Sequence, residues 1–126
     1  MDRALTAIVI DDDKDVLDLF SEYLKIIQVD VIGTGRDGKI ALELYQEKKP
    51  DMVFVDLAMP GYDGIFALKN IRKIDPMAKV IIVTGNLQKD VSEELDYLSP
   101  DRILQKPFEV DKIVEAVNEI KNAKQT

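Results

Sequence analysis

The feature that most constrains the fold is a set of short apolar runs, each followed at once by polar residues. The runs and their endings are Ala7 to Ile10 before Asp11, Met52 to Val55 before Asp56, Val80 to Val83 before Thr84, and Ile103 to Gln105 before Lys106. Longer segments with apolar residues at helical spacing separate them, an alternation typical of an α/β fold with a parallel sheet. Because ligands bind at the carboxyl ends of such strands, these endings are expected to converge on one site.

Five strand–helix units are predicted from this alternation. The predicted strands are Ala7 to Ile10, Val29 to Ile32, Met52 to Val55, Lys79 to Val83, and Arg102 to Gln105. The second strand has the weakest pattern. The third helix is expected to open at Gly64, and the fourth is short, with Val91, Leu95 and Leu98 as its apolar residues. The fifth begins near Pro107, a residue that favours a first helical turn.

Length and composition narrow the possible functions. The 126 residues suit a single domain, residues 1–126 with a core of about 5–122, and leave no room for a second domain. A net charge of -7 argues against direct nucleic-acid binding. With neither cysteine nor histidine, chemistry must use carboxylates, hydroxyls and amines. No apolar stretch approaches the roughly 20 residues that cross a membrane, so a cytoplasmic protein without membrane insertion is expected.

The strand endings carry the chemistry. If Asp11, Asp12 and Asp56 lie within about 5 Å of one another, each carboxylate pair repels by roughly 3 kcal/mol at an effective dielectric of 20. Lys106 offsets part of this charge, and a hard divalent cation, Mg²⁺ with Mn²⁺ as a second candidate, offsets the rest. A carboxylate beside such an ion and a lysine is equipped to accept a phosphoryl group. Asp56 is the predicted nucleophile, and the Thr84 hydroxyl is predicted to donate to a phosphoryl oxygen.

These residues closely resemble the receiver domain of two-component response regulators over nearly the whole chain. The matching segments are Ile8 to Asp12, Asp56 to Gly64, Val83 to Gly85, and Lys106 to Phe108. The resemblance implies a flavodoxin-like α/β fold: a doubly wound, five-stranded parallel sheet in order 2-1-3-4-5 with helices on both faces. It also implies a cis bond between Lys106 and Pro107.

The resemblance further implies a function. Asp56 is expected to take a phosphoryl group from the phosphohistidine of a sensor histidine kinase or phosphotransfer protein, and the acyl phosphate then hydrolyses in place. Asp11 and Asp12 are expected to hold Mg²⁺ together with Asp56 and the backbone carbonyl of Ala58. The chain would thus be a signalling phosphoacceptor, catalysing only its own phosphorylation and dephosphorylation, rather than an enzyme.

An output surface is also implied. It comprises the fourth helix, fifth strand and fifth helix, here Gln88 to Leu98, Ile103 to Gln105, and Glu109 to Lys121. Phosphorylation is expected to reshape this surface for binding of a downstream target protein. The chain itself is expected to act as a monomer or as a phosphorylation-dependent dimer. The family usually carries an aromatic residue three positions before the lysine, where this chain has Ile103.

Three alternatives remain open from the sequence. One is a pseudo-receiver, a docking module that takes no phosphate. Another is a phosphatase of the haloacid-dehalogenase type, because Asp11 and Asp13 match its paired aspartates, and this would make Asp11 the nucleophile. The third is dinucleotide binding, because Gly33 to Gly38 matches the G-x-G-x-x-G fingerprint.

Overall fold

Strands and helices alternate along the chain in a computed structural model that describes residues 3–85 and 93–125. Within those residues the strands are β1 (Thr6–Ile10), β2 (Asp30–Gly35), β3 (Met52–Asp56), β4 (Val80–Thr84) and β5 (Arg102–Gln105). The helices are α1 (Lys14–Ile26), α2 (Gly38–Lys48), α3 (Gly64–Ile74), α4 (Glu93–Leu98) and α5 (Val110–Gln125). The predicted alternation is confirmed. Of the predicted fourth-helix region, residues 88 to 92, including Val91, lie outside the described residues.

The strands form one parallel five-stranded sheet in the order β2-β1-β3-β4-β5, as predicted. Every residue of β3 and β4 is buried, because helices cover both faces. On one face, α1 and α5 supply apolar side chains such as Phe20 and Ile113. On the other face, α2, α3 and α4 contribute residues that include Tyr45, Leu68 and Leu95. The runs in β3 and β4 are continuously apolar because a strand covered on both sides has no solvent face.

Strand register determines where the polar endings lie. The register pairs Ile10 with Val55, Asp56 with Val83, and Thr84 with Gln105. Asp11 follows Ile10 and Asp56 follows Val55. Because Ile10 and Val55 are paired, Asp11 and Asp56 lie side by side at one edge of the sheet. Lys106 follows β5 directly, and its backbone N–H donates to the carbonyl of Thr84 at 2.8 Å. Four strand endings thus meet at the same edge.

The bounds of β2 differ from the prediction. The predicted strand ran from Val29 to Ile32, but the structure has Asp30–Gly35. The register between β1 and β2 shifts between Ala7 and Ile8, and β2 then continues through its glycines until Gly35 pairs with Ile10. Pairing with β1 therefore overrides the low strand propensity of glycine. The end of β2 at Gly35 therefore lies beside the end of β1, next to Asp11.

The loop between β3 and α3 is held close against the end of β3. The backbone N–H of Leu57 donates to the carbonyl of Val83 at 2.8 Å, and that of Gly64 donates to the carbonyl of Leu57 at 3.0 Å. Asp63 caps α3 by accepting from the N–H of Phe66 at 2.9 Å. A Cβ at Gly64 would lie 2.6 Å from the carbonyl oxygen of Asp56. Only glycine allows the loop to fold back this closely.

We expect Gly64→Ala to lower the free energy of unfolding by about 1–3 kcal/mol, since the added methyl overlaps backbone that cannot rotate away. Urea unfolding monitored by circular dichroism measures the change. Gly85→Ala is the matched control, because among the described residues no atom lies within 4 Å of a Cβ there. A Gly64→Ala variant as stable as Gly85→Ala would contradict the proposed overlap.

Candidate functional site

The predicted site residues lie together at the carboxyl edge of the sheet. Asp11, Asp56 and Thr84 are buried, with exposures of 3%, 5% and 1%, whereas Asp12 is half-buried and Ala58 is exposed. One carboxylate oxygen from each of Asp11, Asp12 and Asp56 lies within 4.8 Å of the other two. At an effective dielectric of 20, each pair at this separation repels by about 3 kcal/mol. The fold therefore concentrates negative charge that a cation must offset.

Lys106 supplies part of that offset. Its Nζ donates to Asp11 Oδ2 at 2.8 Å and lies 3.4 Å from Asp56 Oδ2. Burial alone would lower the pKa of Lys106, but the hydrogen bond to Asp11 and the charges of Asp56 and Asp11 outweigh it and raise that pKa. Lys106 is therefore a firmly charged ammonium. Phe108 anchors the loop that follows, since its ring packs edge-on against Phe20 at a centroid distance of 4.6 Å.

The Asp56 carboxyl is held in an unfavourable environment for its charge. Burial, together with the neighbouring charges of Asp11 and Asp12, raises the pKa of Asp56 to about 6, although Lys106 acts in the opposite direction. The Lys106 ammonium therefore offsets only part of the cost of burying the Asp56 charge beside two other carboxylates. Such destabilised groups are concentrated at functional sites.

Asp51, just before β3, makes an instructive contrast. It is as buried as Asp56, with exposures of 6% and 5%. The Arg3 guanidinium donates two hydrogen bonds to its carboxylate, at 2.6 and 2.7 Å, and holds the pKa of Asp51 well below its usual range. One end of β3 thus carries a carboxylate whose charge Arg3 stabilises, and the other end carries one whose charge Lys106 offsets only in part.

The acidic cluster fits a magnesium ion in its donor chemistry. All three acids offer oxygen ligands, which Mg²⁺ prefers, and at metal–oxygen distances of about 2.0–2.1 Å octahedral ligands lie about 3–4 Å apart. Carboxylate oxygens within 4.8 Å of one another come close to that spacing. Asp11, Asp12 and Asp56 are therefore positioned to share one cation.

In metal-free protein, we expect Asp56→Asn to be more stable than wild type at neutral pH. The pKa of Asp56 is about 6 in the fold and about 3.9 in an unfolded chain. The native state therefore binds the proton more tightly, and the wild-type free energy of unfolding falls as the pH rises from about 4 to 6. The shift corresponds to a loss of about 2–3 kcal/mol above that window.

Urea unfolding of both proteins in EDTA at pH 4 and pH 7 measures this difference. The two should be nearly equal at pH 4 and should differ by the full amount at pH 7. Added Mg²⁺ should narrow the gap at pH 7, because a ligand of the native state stabilises wild type. A stability difference that is the same at both pH values would contradict the prediction.

Arg36 is a neighbour of the site that sequence reasoning missed. Its guanidinium donates from Nε and Nη2 to the backbone carbonyl of Asp12, at 2.9 and 2.7 Å. The available signal was the sheet order, which puts the end of β2 beside β1. Ending β2 at Ile32 hid this, because the prediction then placed Arg36 well beyond the strand.

The glycines of the G-x-G-x-x-G match have packing roles. Gly33 and Gly35 lie inside β2, and a Cβ at Gly35 would lie 2.4 Å from Ile40 Cγ2. The backbone N–H of Gly38, at the start of α2, donates to the carbonyl of Tyr62 at 2.7 Å. In a dinucleotide site this N-terminus would face the pyrophosphate. Here it is joined to the loop between β3 and α3.

Comparison with known proteins identifies the family. The family model described as response regulator receiver domain matches residues 7–118. The chain belongs to this family. Receivers of this kind are the CheY-like modules of two-component signalling. The chemotaxis protein CheY of Thermotoga maritima is 33% identical to this receiver over 113 residues, covering 90% of this chain and 94% of that protein.

Solved structures agree with the fold. A response regulator receiver domain protein from Clostridium thermocellum has a TM-score of 0.87 at 28% identity, covering 96% of this receiver and 97% of that chain. A CheX-CheY-BeF3-Mg²⁺ complex from Borrelia burgdorferi has a TM-score of 0.82 at 24% identity, with coverages of 92% and 88%. The second likeness shows the fold alone. Among the described residues, no helix is long and apolar enough to span a membrane.

Proposed function

We propose that this receiver is a phosphorylation-dependent switch in which Asp56 is the phosphoacceptor. The observation that carries the proposal is the environment of Asp56: a buried carboxylate within 4.8 Å of the oxygens of two other acids and 3.4 Å from the Lys106 ammonium. The donor is the phosphohistidine of a sensor histidine kinase or a phosphotransfer protein. We propose that residues of about 5–122 act as one receiver domain, in the cytoplasm.

Asp56, Lys106 and Thr84 have distinct roles in the proposed phosphoryl transfer. An Asp56 carboxylate oxygen forms a bond to phosphorus while the bond from phosphorus to the donor nitrogen breaks, and the imidazole leaves with the electron pair. Lys106 contacts one phosphoryl oxygen, and the Thr84 hydroxyl donates to another. Hydrolysis reverses the state: water attacks phosphorus, inorganic phosphate leaves, and the Asp56 carboxylate is restored. The chain thereby catalyses only its own phosphorylation and dephosphorylation.

Asp11, Asp12, Asp56 and the backbone carbonyl of Ala58 would hold Mg²⁺, or Mn²⁺ in its place. A bound ion would neutralise the acidic cluster and the charge on the phosphoryl oxygens. Support comes from the donor chemistry of the three acids and from the related complex, which contains CheY together with BeF3 and Mg²⁺.

The output is proposed to be carried by protein contacts. The candidate surface consists of α4, β5 and α5, and β5 and α5 are linked by ion pairs from Arg102 to Glu115, at 3.0 Å, and to Glu119. Ile103, in place of an aromatic residue, is partly buried against the α2, α3 and α4 side of the core. We propose that a downstream target protein binds this surface. The receiver would bind it either as a monomer or as a phosphorylation-dependent dimer. The CheX-CheY complex is a partner interaction of a related receiver.

Intact mass after incubation with acetyl phosphate, with and without Mg²⁺, tests the proposal. A Mg²⁺-dependent gain of about 80 Da in the wild type is expected. No gain, in a protein that still binds Mg²⁺, would favour the pseudo-receiver instead. Retention of the gain in Asp56→Asn and its loss in Asp11→Asn would favour the phosphatase-type alternative with Asp11 as the nucleophile.

A further inference from the structure

Arg36 reaches from the end of β2 to the acidic loop that follows β1. Its exposed side chain donates two hydrogen bonds, from Nε at 2.9 Å and Nη2 at 2.7 Å, to one oxygen, the backbone carbonyl of Asp12. Donors that carry a full charge make stronger hydrogen bonds than neutral ones, and the planar guanidinium fixes their direction. A long, solvent-exposed side chain loses conformational freedom in this arrangement, so these contacts offset a real entropic cost.

The backbone of the acidic loop is held at three successive residues. The N–H of Asp11 donates to the carbonyl of Gly35 at 3.1 Å, and the carbonyl of Asp12 accepts from Arg36. The N–H of Asp13 donates to Asp11 Oδ1 at 2.9 Å. The first two anchors come from adjacent residues at the end of β2. The Asp12 side chain therefore leaves a backbone that is fixed both before and after it.

We propose that Arg36 is a positioning residue for the divalent-cation site: by holding the Asp12 backbone, it keeps the Asp12 carboxylate beside those of Asp11 and Asp56. The inference rests on the proposed function, in which these three acids bind Mg²⁺. Asp12 is only half-buried, so side-chain packing restrains it less than it restrains the other two acids. Arg36 supplies the missing restraint through the main chain.

Charge and position predict opposite effects, which makes the role testable. Arg36 is a cation near a cation site, so its charge by itself opposes Mg²⁺, and removing that charge should tighten binding. Its contact with Asp12 favours binding, and losing the contact should weaken it. Removing residues that orient metal ligands typically weakens metal affinity about 10- to 100-fold. Because Arg36 is exposed and acts through the backbone, we expect the lower end, about tenfold.

The test is calorimetric titration of metal-free protein with Mg²⁺ at constant ionic strength. Arg36→Gln removes the charge and the planar fork, whereas Arg36→Lys keeps the charge and loses the fork. Both are expected to weaken Mg²⁺ binding about tenfold. Lys14→Gln is the charge control: it removes an exposed cation from the start of α1, where Lys14 pairs with Asp18 at 2.8 Å, and its affinity should equal or exceed that of wild type.

An Arg36→Gln variant that binds Mg²⁺ as tightly as wild type, or more tightly, would overturn the positioning role. Thermal unfolding in EDTA checks that each variant is folded. A second readout is the acetyl phosphate reaction as a function of Mg²⁺ concentration. The Arg36 variants should need about tenfold more Mg²⁺ and then reach the wild-type maximal rate. A lowered maximal rate with an unchanged Mg²⁺ requirement would also contradict the inference.

Failure of this inference is distinguishable from failure of the proposed function. Wild type that binds no Mg²⁺ and gains no mass would refute the proposed function. Wild type that binds Mg²⁺ and is phosphorylated, with Arg36 variants that behave identically, would refute the role of Arg36 alone.

Discussion

Asp56→Asn is expected to abolish the Mg²⁺-dependent mass gain of about 80 Da that acetyl phosphate gives the wild-type receiver. The asparagine amide has nearly the shape of the carboxylate, so it occupies the same buried space at the end of β3. Its neutral carbonyl oxygen is a far weaker nucleophile toward phosphorus than the negatively charged carboxylate oxygen. Loss of a nucleophile lowers rates by many orders of magnitude, and we expect a decrease of at least about 10³-fold.

Asp63→Asn is the matched control for this experiment. It makes the same chemical change in the loop that follows β3, but Asp63 caps α3 through the N–H of Phe66 and is not one of the three clustered acids. Asparagine caps helices as well as aspartate does, so the control should fold and be phosphorylated like wild type. A normal mass gain in Asp56→Asn, with the modified peptide mapped elsewhere, would remove Asp56 from its proposed role.

Asp12→Asn should weaken Mg²⁺ binding by about 10- to 100-fold, because it replaces a charged oxygen ligand with a neutral one. The same change should make the metal-free protein more stable, since it removes repulsion among three carboxylates within 4.8 Å of one another. Affinity and stability are thus expected to move in opposite directions. Calorimetric titration with Mg²⁺ and urea unfolding in EDTA measure the two quantities.

Asp13→Asn separates the loss of a ligand from the loss of charge. It removes the same charge from the adjacent residue, where Asp13 caps α1 by accepting from the N–H groups of Asp15 and Val16. A non-ligand carboxylate acts on the ion only through screened electrostatics, so the Mg²⁺ affinity should change by no more than about threefold. Equal weakening in Asp12→Asn and Asp13→Asn would mean that Asp12 is not a ligand.

The electrostatic environment of Asp56 suits the cation binding in the proposed cycle. Burial and the charges of Asp11 and Asp12 disfavour the ionised form of Asp56, so a cation that offsets this repulsion would be favoured. Lys106 remains protonated, because Asp11 and Asp56 stabilise its charge. In the proposed cycle, a bound cation would relieve the unfavourable electrostatic energy of the clustered acids.

Local pattern was sufficient to predict the alternation of strands and helices and the polar endings of four strands, whereas the strand order was implied by the resemblance to receiver domains. The continuous apolar runs of β3 and β4 identified strands covered on both faces once the intervening segments were recognised as helices. Asp11, Asp56, Thr84 and Lys106 follow or end such strands. Because all strands in the sheet are parallel, residues at those positions meet at one edge whatever the details of packing.

Long-range register was beyond the reach of local pattern. The end of β2 depends on pairing with β1 across a register shift between Ala7 and Ile8. From local pattern, the glycines of β2 indicated a loop or a dinucleotide-binding fingerprint. Pairing with β1 instead continues the strand through them to Gly35. The contact between Arg36 and Asp12 became visible only when this register was known.

By itself, the sequence determined the alternation of strands and helices and which polar residue follows each of four strands. It also determined that histidine and cysteine take no part in the chemistry, because the chain contains neither. The tertiary structure alone decided that Lys106 lies closer to Asp11, at 2.8 Å, than to Asp56, at 3.4 Å. It also decided that burial raises the pKa of Asp56, and that the end of β2 supports the acidic loop. The physical reason is that periodicity is local, whereas burial and electrostatic energy depend on ångström distances between residues far apart in the chain.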